Sequence, residues 1–127
     1  MDIAKIFNER DKFAKFLGMK VIKAENGYAE VKVTLKEEYK NGLEIAHGGI
    51  IYTLADLAFA AASNSHGKRA VAIEASISYI KSVKEGTLTA VAEEIGRTKK
   101  LGRYIIKIYD EEKELCALFK GTSYILD

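Results

Sequence analysis

Proline and tryptophan are absent from this 127-residue chain, cysteine occurs once and histidine twice. A single cysteine, Cys116, excludes an internal disulfide. It lies in the apolar run LCALF and reads as a buried small hydrophobe rather than a nucleophile. Two histidines and one cysteine are too few for a convincing metal site, and no cofactor is expected. From the missing proline we draw nothing. No apolar run approaches the ~18 residues of a membrane span. The start, MDIAKIFNERDKF, mixes charges of both signs and lacks the apolar stretch of a signal peptide. A cytoplasmic address with no membrane partner is therefore expected. The formal net charge of +2 falls well short of a nucleic-acid footprint.

What is present is a globular composition, 48% hydrophobic and 30% charged. The length suits one domain, 1–127, able to bury a core without staples. Ile3, Ile6, Phe7, Phe13, Phe16 and Leu17 recur at roughly helical spacing, which predicts one amphipathic helix over 1–17, ending near Gly18. Val21 to Ala24 and Ala29 to Leu35 alternate apolar with polar residues, and Asn26-Gly27 between them signals a two-residue hairpin. Residues 36–47 read as a loop.

The segment GIIYTLADLAFAAAS, from Gly49 to Ser63, has no strand alternation and one charge, Asp56. It predicts a central helix over 49–65. A helix apolar on all sides must be buried on most of them, so a sheet, a second subunit or both must wrap it. Four strands follow, at Ala70–Ile80, Gly86–Ile95, Arg103–Tyr109 and Leu115–Ile125. Their short connections, KSVKEG among them, predict antiparallel neighbours. The expected architecture is α+β, a single antiparallel sheet of five or six strands curled around one central helix.

Three features of that helix could carry chemistry. His47-Gly48-Gly49 precedes it. Two glycines let the backbone approach a ligand closely, and the first N–H groups of a helix lack internal partners at the positive end of its dipole. Such a terminus can bind a developing oxyanion, although two glycines also suffice for a tight turn. Asp56 sits mid-helix with no lysine or arginine within four residues. A buried charge is costly unless paired, so Asp56 marks a candidate site unless another segment or subunit pairs it, or that patch of helix stays wet. Asn41, six residues before His47, belongs to the same loop, and both side chains can hydrogen-bond a substrate. Gly49, Tyr52 and Phe59 are candidates to line the pocket, the two rings being equally suited to the core.

Gly48 and Asp56 are eight positions apart, ~12 Å along a helix at ~1.5 Å per residue. An oxyanion donor and a carboxylate must each come within ~3 Å of one carbonyl. One helix cannot supply both, but two antiparallel copies across a twofold axis can. A shared site in a symmetric dimer is the expectation. No GxSxG, GxxxxGKS/T or HExxH motif is present. Ser65-His66 are adjacent near the expected helix end, which does not make a dyad. Lys81, Lys84, Arg97, Lys99, Lys100 and Arg103 cluster at two strand connections. They form a solvated rim, or candidates for the phosphates of a CoA ester.

On these residues the sequence resembles the phenylacetate-pathway (PaaI-like) branch of the hotdog thioesterases. The resemblance runs from about Gly18 to Ile125. It is carried by NGLEIAHGGIIYTLADLAFAAASNSHG, ISYIKSVKEGTLTAVAEEIGRT and ALFKGTSY. It implies a hotdog fold that dimerises by joining two sheets and commonly pairs into a homotetramer. It implies an acyl-CoA substrate, Asp56 as the catalytic carboxylate, and Gly48 as the N–H donor to the thioester oxygen from the other subunit. His47 and Asn41 would position the thioester and water. A related branch places a hydroxyl a turn after its carboxylate; here that position is Ala60. The chemistry is consistent, because a thiolate leaves readily without a strong acid. Aspartate, ionised at neutral pH, can act as base or nucleophile. The competing expectations are a dehydratase or hydratase acting on acyl thioesters and a non-catalytic acyl-CoA-binding module. The HGG-to-Asp spacing opposes the first, and Asp56 with the small N-terminal segment opposes the second.

Overall fold

The computed structural model describes residues 1–127. In chain order the elements are α1 (Ile3–Arg10), α2 (Lys12–Phe16), β1 (Lys20–Glu25), β2 (Tyr28–Thr34), a 3-10 turn (Glu37–Tyr39), α3 (Gly48–Asn64), β3 (Ala70–Tyr79), β4 (Thr87–Arg97), β5 (Leu101–Tyr109) and β6 (Leu115–Ile125). The six strands make one antiparallel sheet in the order β1-β2-β4-β5-β6-β3. The α+β expectation holds, with six strands. No helix is long and apolar enough to cross a membrane.

Local chemistry sets the boundaries. Asn26 and Gly27 both take positive φ, 49° and 82°, which two-residue hairpins require, and Glu25 pairs with Tyr28 across the turn. The single helix expected over 1–17 is instead two. Asp11 interrupts it with ψ at 98°, and its carboxylate accepts the Ala14 N–H to start α2. Capping wins over helical continuation because the aspartate side chain offers the backbone a competing partner.

Strand alternation builds the core. In the first half of β4 and along β5 every second residue is buried, among them Leu88, Ala90, Ala92, Tyr104, Ile106 and Ile108. These face α3, which packs against all six strands. Small residues on the helix, Ala55, Ala58, Ala61 and Ala62, allow the close approach. Phe59 is wedged where β6 carries Gly121; a Cβ there would lie 2.7 Å from the Phe59 ring. α3 nevertheless keeps one stripe at least partly open, through Gly49, Tyr52, Asp56, Ala60 and Asn64.

One connection differs from expectation. β3 and β4 are consecutive but not neighbours. β3 pairs with β6 at the sheet edge, and β4 lies between β2 and β5. The segment from Ile80 to Gly86 is a crossover rather than a turn. Seven extended residues reach about 23 Å, whereas the three interstrand spacings to be crossed add to about 14 Å. Hydrogen bonds fix the path: Ile80 and Lys81 N–H to the Cys116 carbonyl (2.8 and 3.1 Å), Ala46 N–H to Val83 (2.7 Å), Leu35 N–H to Gly86 (2.9 Å). Val83 is buried beneath it. The other edge of β3 is unpaired within the chain, and Val71, Ile73, Tyr79 and Ile80 are about half exposed on or beside it.

Candidate active site

The start of α3 is built from a cap and a clamp. His47 is the N-cap, in extended conformation, and its Nδ1 accepts the Gly49 N–H at 2.8 Å. That bond makes Nδ1 the unprotonated nitrogen of the neutral ring. The His47 carbonyl accepts from Ile50 and Ile51 (3.0 and 3.4 Å), and the His47 N–H donates to Tyr39 (2.7 Å). Of the N–H groups from His47 to Ile51, only that of Gly48 has no acceptor. It lies at the positive end of the helix. The Tyr79 hydroxyl donates to the Gly48 carbonyl at 3.1 Å, and a Cβ on Gly48 would meet that ring at 3.2 Å. β3 thus holds the helix start in place.

Asn41 lies beside this point. Its Oδ1 accepts the N–H groups of Leu43 (2.9 Å) and Ile45 (3.4 Å), closing the loop, while its NH2 group has no partner within the chain. Asn41, Ile45, Gly48, Ile51, Tyr79 and Lys81 border a cleft of about 380 Å3. On another face of α3 a second cleft of about 200 Å3 is lined by Phe13, Leu17, Glu38, Tyr39, His47, Gly49, Ile50 and Thr53.

Asp56 is half-buried on the open stripe, with neither a hydrogen bond nor an ion pair. Burial raises its pKa above the ordinary aspartate value, and the charge of Asp11 adds to the effect. No other segment of the chain pairs with it. Gly48 and Asp56 are eight positions apart on one straight element, ~12 Å along its axis.

The remaining candidates separate. Tyr52 is 36% exposed, with its ring edge-on to Phe119 at 5.3 Å. Phe59 is 1% exposed and belongs to the core, packed against Tyr104 and Phe119. The basic residues form two groups. Lys81 and Lys84 lie on the crossover, at the Gly48 end. Arg97, Lys99, Lys100 and Arg103 surround the β4–β5 connection at the opposite end of the sheet. Lys81 is engaged by Asp110 at 2.7 Å and Glu114 at 3.1 Å, which hold its pKa well above the lysine value.

Ser65 and His66 close the far end of α3. The Ser65 hydroxyl donates to Ala62 and accepts the Gly27 N–H; His66 Nε2 and the Tyr104 hydroxyl both meet Glu94 Oε2, at 2.7 and 2.8 Å. Tyr79 and Asp11 were missed in the sequence. Tyr79 falls within the strand expected over Ala70–Ile80, but nothing local linked it to Gly48.

A free helix-terminal N–H and an unpaired carboxylate are the parts an acyl-transfer site needs. The chain is similar to known thioesterases. Residues 43–117 match the family described as the thioesterase superfamily. The acyl-coenzyme A thioesterase PaaI of Escherichia coli K12 is 39% identical over 117 residues, 91% of this chain and 84% of that one. The structure of E. coli PaaI, from the phenylacetic acid degradation operon, superposes with a TM-score of 0.94 at 37% identity, covering 98% and 91% of the two chains. A mutant structure of phenylacetic acid degradation protein PaaI from Thermus thermophilus gives 0.86 at 34%, covering 90% and 98%. The chain therefore belongs to the thioesterase superfamily, in its PaaI-like hotdog branch, and is a thioester hydrolase.

Proposed function

We propose that the substrate is an acyl-CoA and that its thioester is cleaved between Gly48 of one chain and Asp56 of another. The observation that carries this is the half-buried, unpartnered Asp56 carboxylate on the same helix as the one free N–H, that of Gly48. The name of the E. coli relative supports the CoA part. The Gly48 N–H receives the negative charge that develops on the thioester oxygen. Asp56 either deprotonates the attacking water or attacks the carbonyl itself, and the CoA thiolate departs. In the second route an acyl anhydride of Asp56 forms and water then opens it; in a single turnover in H2 18O, label in the Asp56 carboxylate shows that its oxygen has attacked.

The two-chain arrangement rests on helix length and on the open edge of β3. An unpaired ten-residue strand with half-exposed Val71, Ile73 and Tyr79 invites a second copy. Antiparallel pairing of two β3 edges sets the Tyr79 end of one chain beside the Val71 end of the other. Through the register of β3, β6 and β5 that is the end carrying Arg97, Lys99, Lys100 and Arg103. The basic group of one chain then flanks the Gly48 cleft and Lys84 of the other, where CoA phosphates would lie. Two such dimers assemble into a homotetramer in this reading. Asn41, with its free NH2 group, faces the same cleft and positions the thioester.

The test is Asp56→Asn, assayed with acyl-CoA esters and a thiol-detecting reagent. The change preserves volume and removes the charge, and kcat should fall at least a thousandfold. Near wild-type turnover in the folded variant would refute the assignment.

A further inference from the structure

The two clefts beside the start of α3 differ in their surroundings, and the difference sorts the two ends of an acyl-CoA. The 380 Å3 cleft is bordered by Asn41, Tyr79 and Lys81, whose charge is held by Asp110 and Glu114, and in the dimer proposed above it lies beside the basic group of the second chain. The 200 Å3 cleft has no cation on its wall; its one acidic residue is Glu38, and its surface is largely Phe13, Leu17, Tyr39 and Ile50. A phosphate is disfavoured there and an apolar group favoured. Thr53 lines this cleft and stands one turn before Asp56 on the same face of α3. From the reacting carboxylate the cleft is therefore the adjacent apolar space.

Its outer wall is α2, and α2 is firmly placed. Asp11 caps it, the Tyr39 hydroxyl donates to the Leu17 carbonyl, and the Met19 N–H donates to Ala14. α1 in turn is hung on β1 by the Asn8 carboxamide, which bonds the Val21 carbonyl at 2.9 Å and the Val21 N–H at 2.8 Å. Phe13 nonetheless remains 58% exposed. A rigid wall that presents an open aromatic to a cavity beside the catalytic carboxylate is built to receive something apolar.

We infer that this cleft is the acyl subsite, walled by α2, and that Phe13 is a specificity-determining residue for the acyl group. The inference rests on the acyl-CoA reading above and names where its acyl end lies. The cleft's 200 Å3 exceeds the ~150 Å3 that holds one benzene, so it admits a short chain or a single ring. The CoA arm leaves by the 380 Å3 cleft.

The experiment compares kcat/KM for hexanoyl-CoA and acetyl-CoA in wild type and in three variants. Phe13→Ala should lower the hexanoyl-to-acetyl ratio about tenfold, since the longer chain loses its apolar wall. Phe13→Leu, which keeps the wall apolar, should restore the ratio to within about threefold. Phe16→Ala, an exposed neighbour on the same helix that does not line the cleft, should leave the ratio as in wild type. Circular dichroism checks that each variant is folded. In parallel, titration with the ketone analogues of the two esters, methylene in place of sulfur, should show Phe13→Ala weakening the hexanoyl analogue more than the acetyl one. Equal changes for both acyl groups would overturn the inference while leaving the thioesterase reading intact. If wild type cleaves neither ester, that reading fails, and the analogue affinities still decide whether Phe13 meets the acyl chain.

Discussion

The Nδ1 of His47 accepts the N–H of Gly49 at 2.8 Å, and this bond leaves Gly48 with the one uncommitted N–H at the start of α3. His47, expected to position the substrate, is therefore also the cap of α3. The two roles make different predictions. His47→Ala loses the cap, about 1 kcal/mol, and should lower Tm by several degrees. kcat should fall with it as the Gly48 N–H loses its fixed direction. His47→Asn can still cap and should recover both. If His47→Asn recovers Tm but not kcat, the imidazole itself acts on the substrate.

Asp56 should cost stability where it is charged. Its native pKa is raised by burial and then by Asp11, so the native state holds the proton more tightly than the unfolded chain. Stability falls as pH rises from the ordinary aspartate value, ~3.9, through the raised one. Asp56→Asn should therefore raise Tm by a few degrees at pH 7. The gain should shrink to nothing below about pH 3.5, where the wild-type carboxyl is protonated in both states. Calorimetry across that range checks it, and a variant less stable than wild type at pH 7 would mean that Asp56 has a partner.

Glu94 has the opposite sign. Burial pushes its pKa up, but hydrogen bonds from His66 and Tyr104 outweigh burial and hold the carboxyl below the usual range. Its contribution is present above the ordinary glutamate value and is lost as pH falls through the lowered one. Glu94→Gln should cost about 1–2 kcal/mol at pH 7 and less at pH 3. Urea melts at the two pH values measure this. The loss belongs to the closure of α3 against the β1–β2 hairpin, so kcat should change little.

The basic residues at the β4–β5 connection should act on KM. Each exposed contact with a phosphate is worth about 0–1 kcal/mol. Reversing Arg97, Lys99, Lys100 and Arg103 together should raise KM about tenfold with little change in kcat. The wild-type KM should itself rise with salt. A KM indifferent to salt would remove the phosphate role. Lys81 is a poor probe, since its replacement also strands Asp110 and Glu114.

Gly121 tests the core. Alanine there would press a methyl to 2.7 Å from the Phe59 ring. Overpacking of this kind costs about 1–3 kcal/mol, read as a lowered urea midpoint. An unchanged midpoint would mean that α3 shifts away from β6 without penalty.

Elements with a local code were legible in the sequence. Asn26-Gly27 specifies its hairpin through two positive φ angles, and the apolar run around Asp56 reads as a buried helix because its period fits nothing else. Asp56 itself stood out because no cation lay within a turn. What was illegible is long-range. KSVKEG has the length of a turn, and only the burial of Val83 and the Cys116 carbonyl make it a crossover. Nothing near Tyr79 in sequence points to Gly48, thirty-one positions away. Lys81 resembled a free cation until β5 and β6 brought Asp110 and Glu114 to it. The break at Asp11 is a local signal that helical periodicity concealed, since Asp11 caps a helix as readily as it interrupts one.

The most direct test of the shared site is complementation. Asp56→Asn chains are mixed with Gly48→Pro chains, which lack the N–H, after each is shown folded, dimeric and inactive. Mixed dimers then hold one site with both defects and one with neither. With random exchange half the dimers are mixed, so activity should return to about a quarter of wild type. If exchange is confirmed by mass spectrometry and no activity returns, Gly48 and Asp56 serve one site from one chain, and the two-chain account is contradicted.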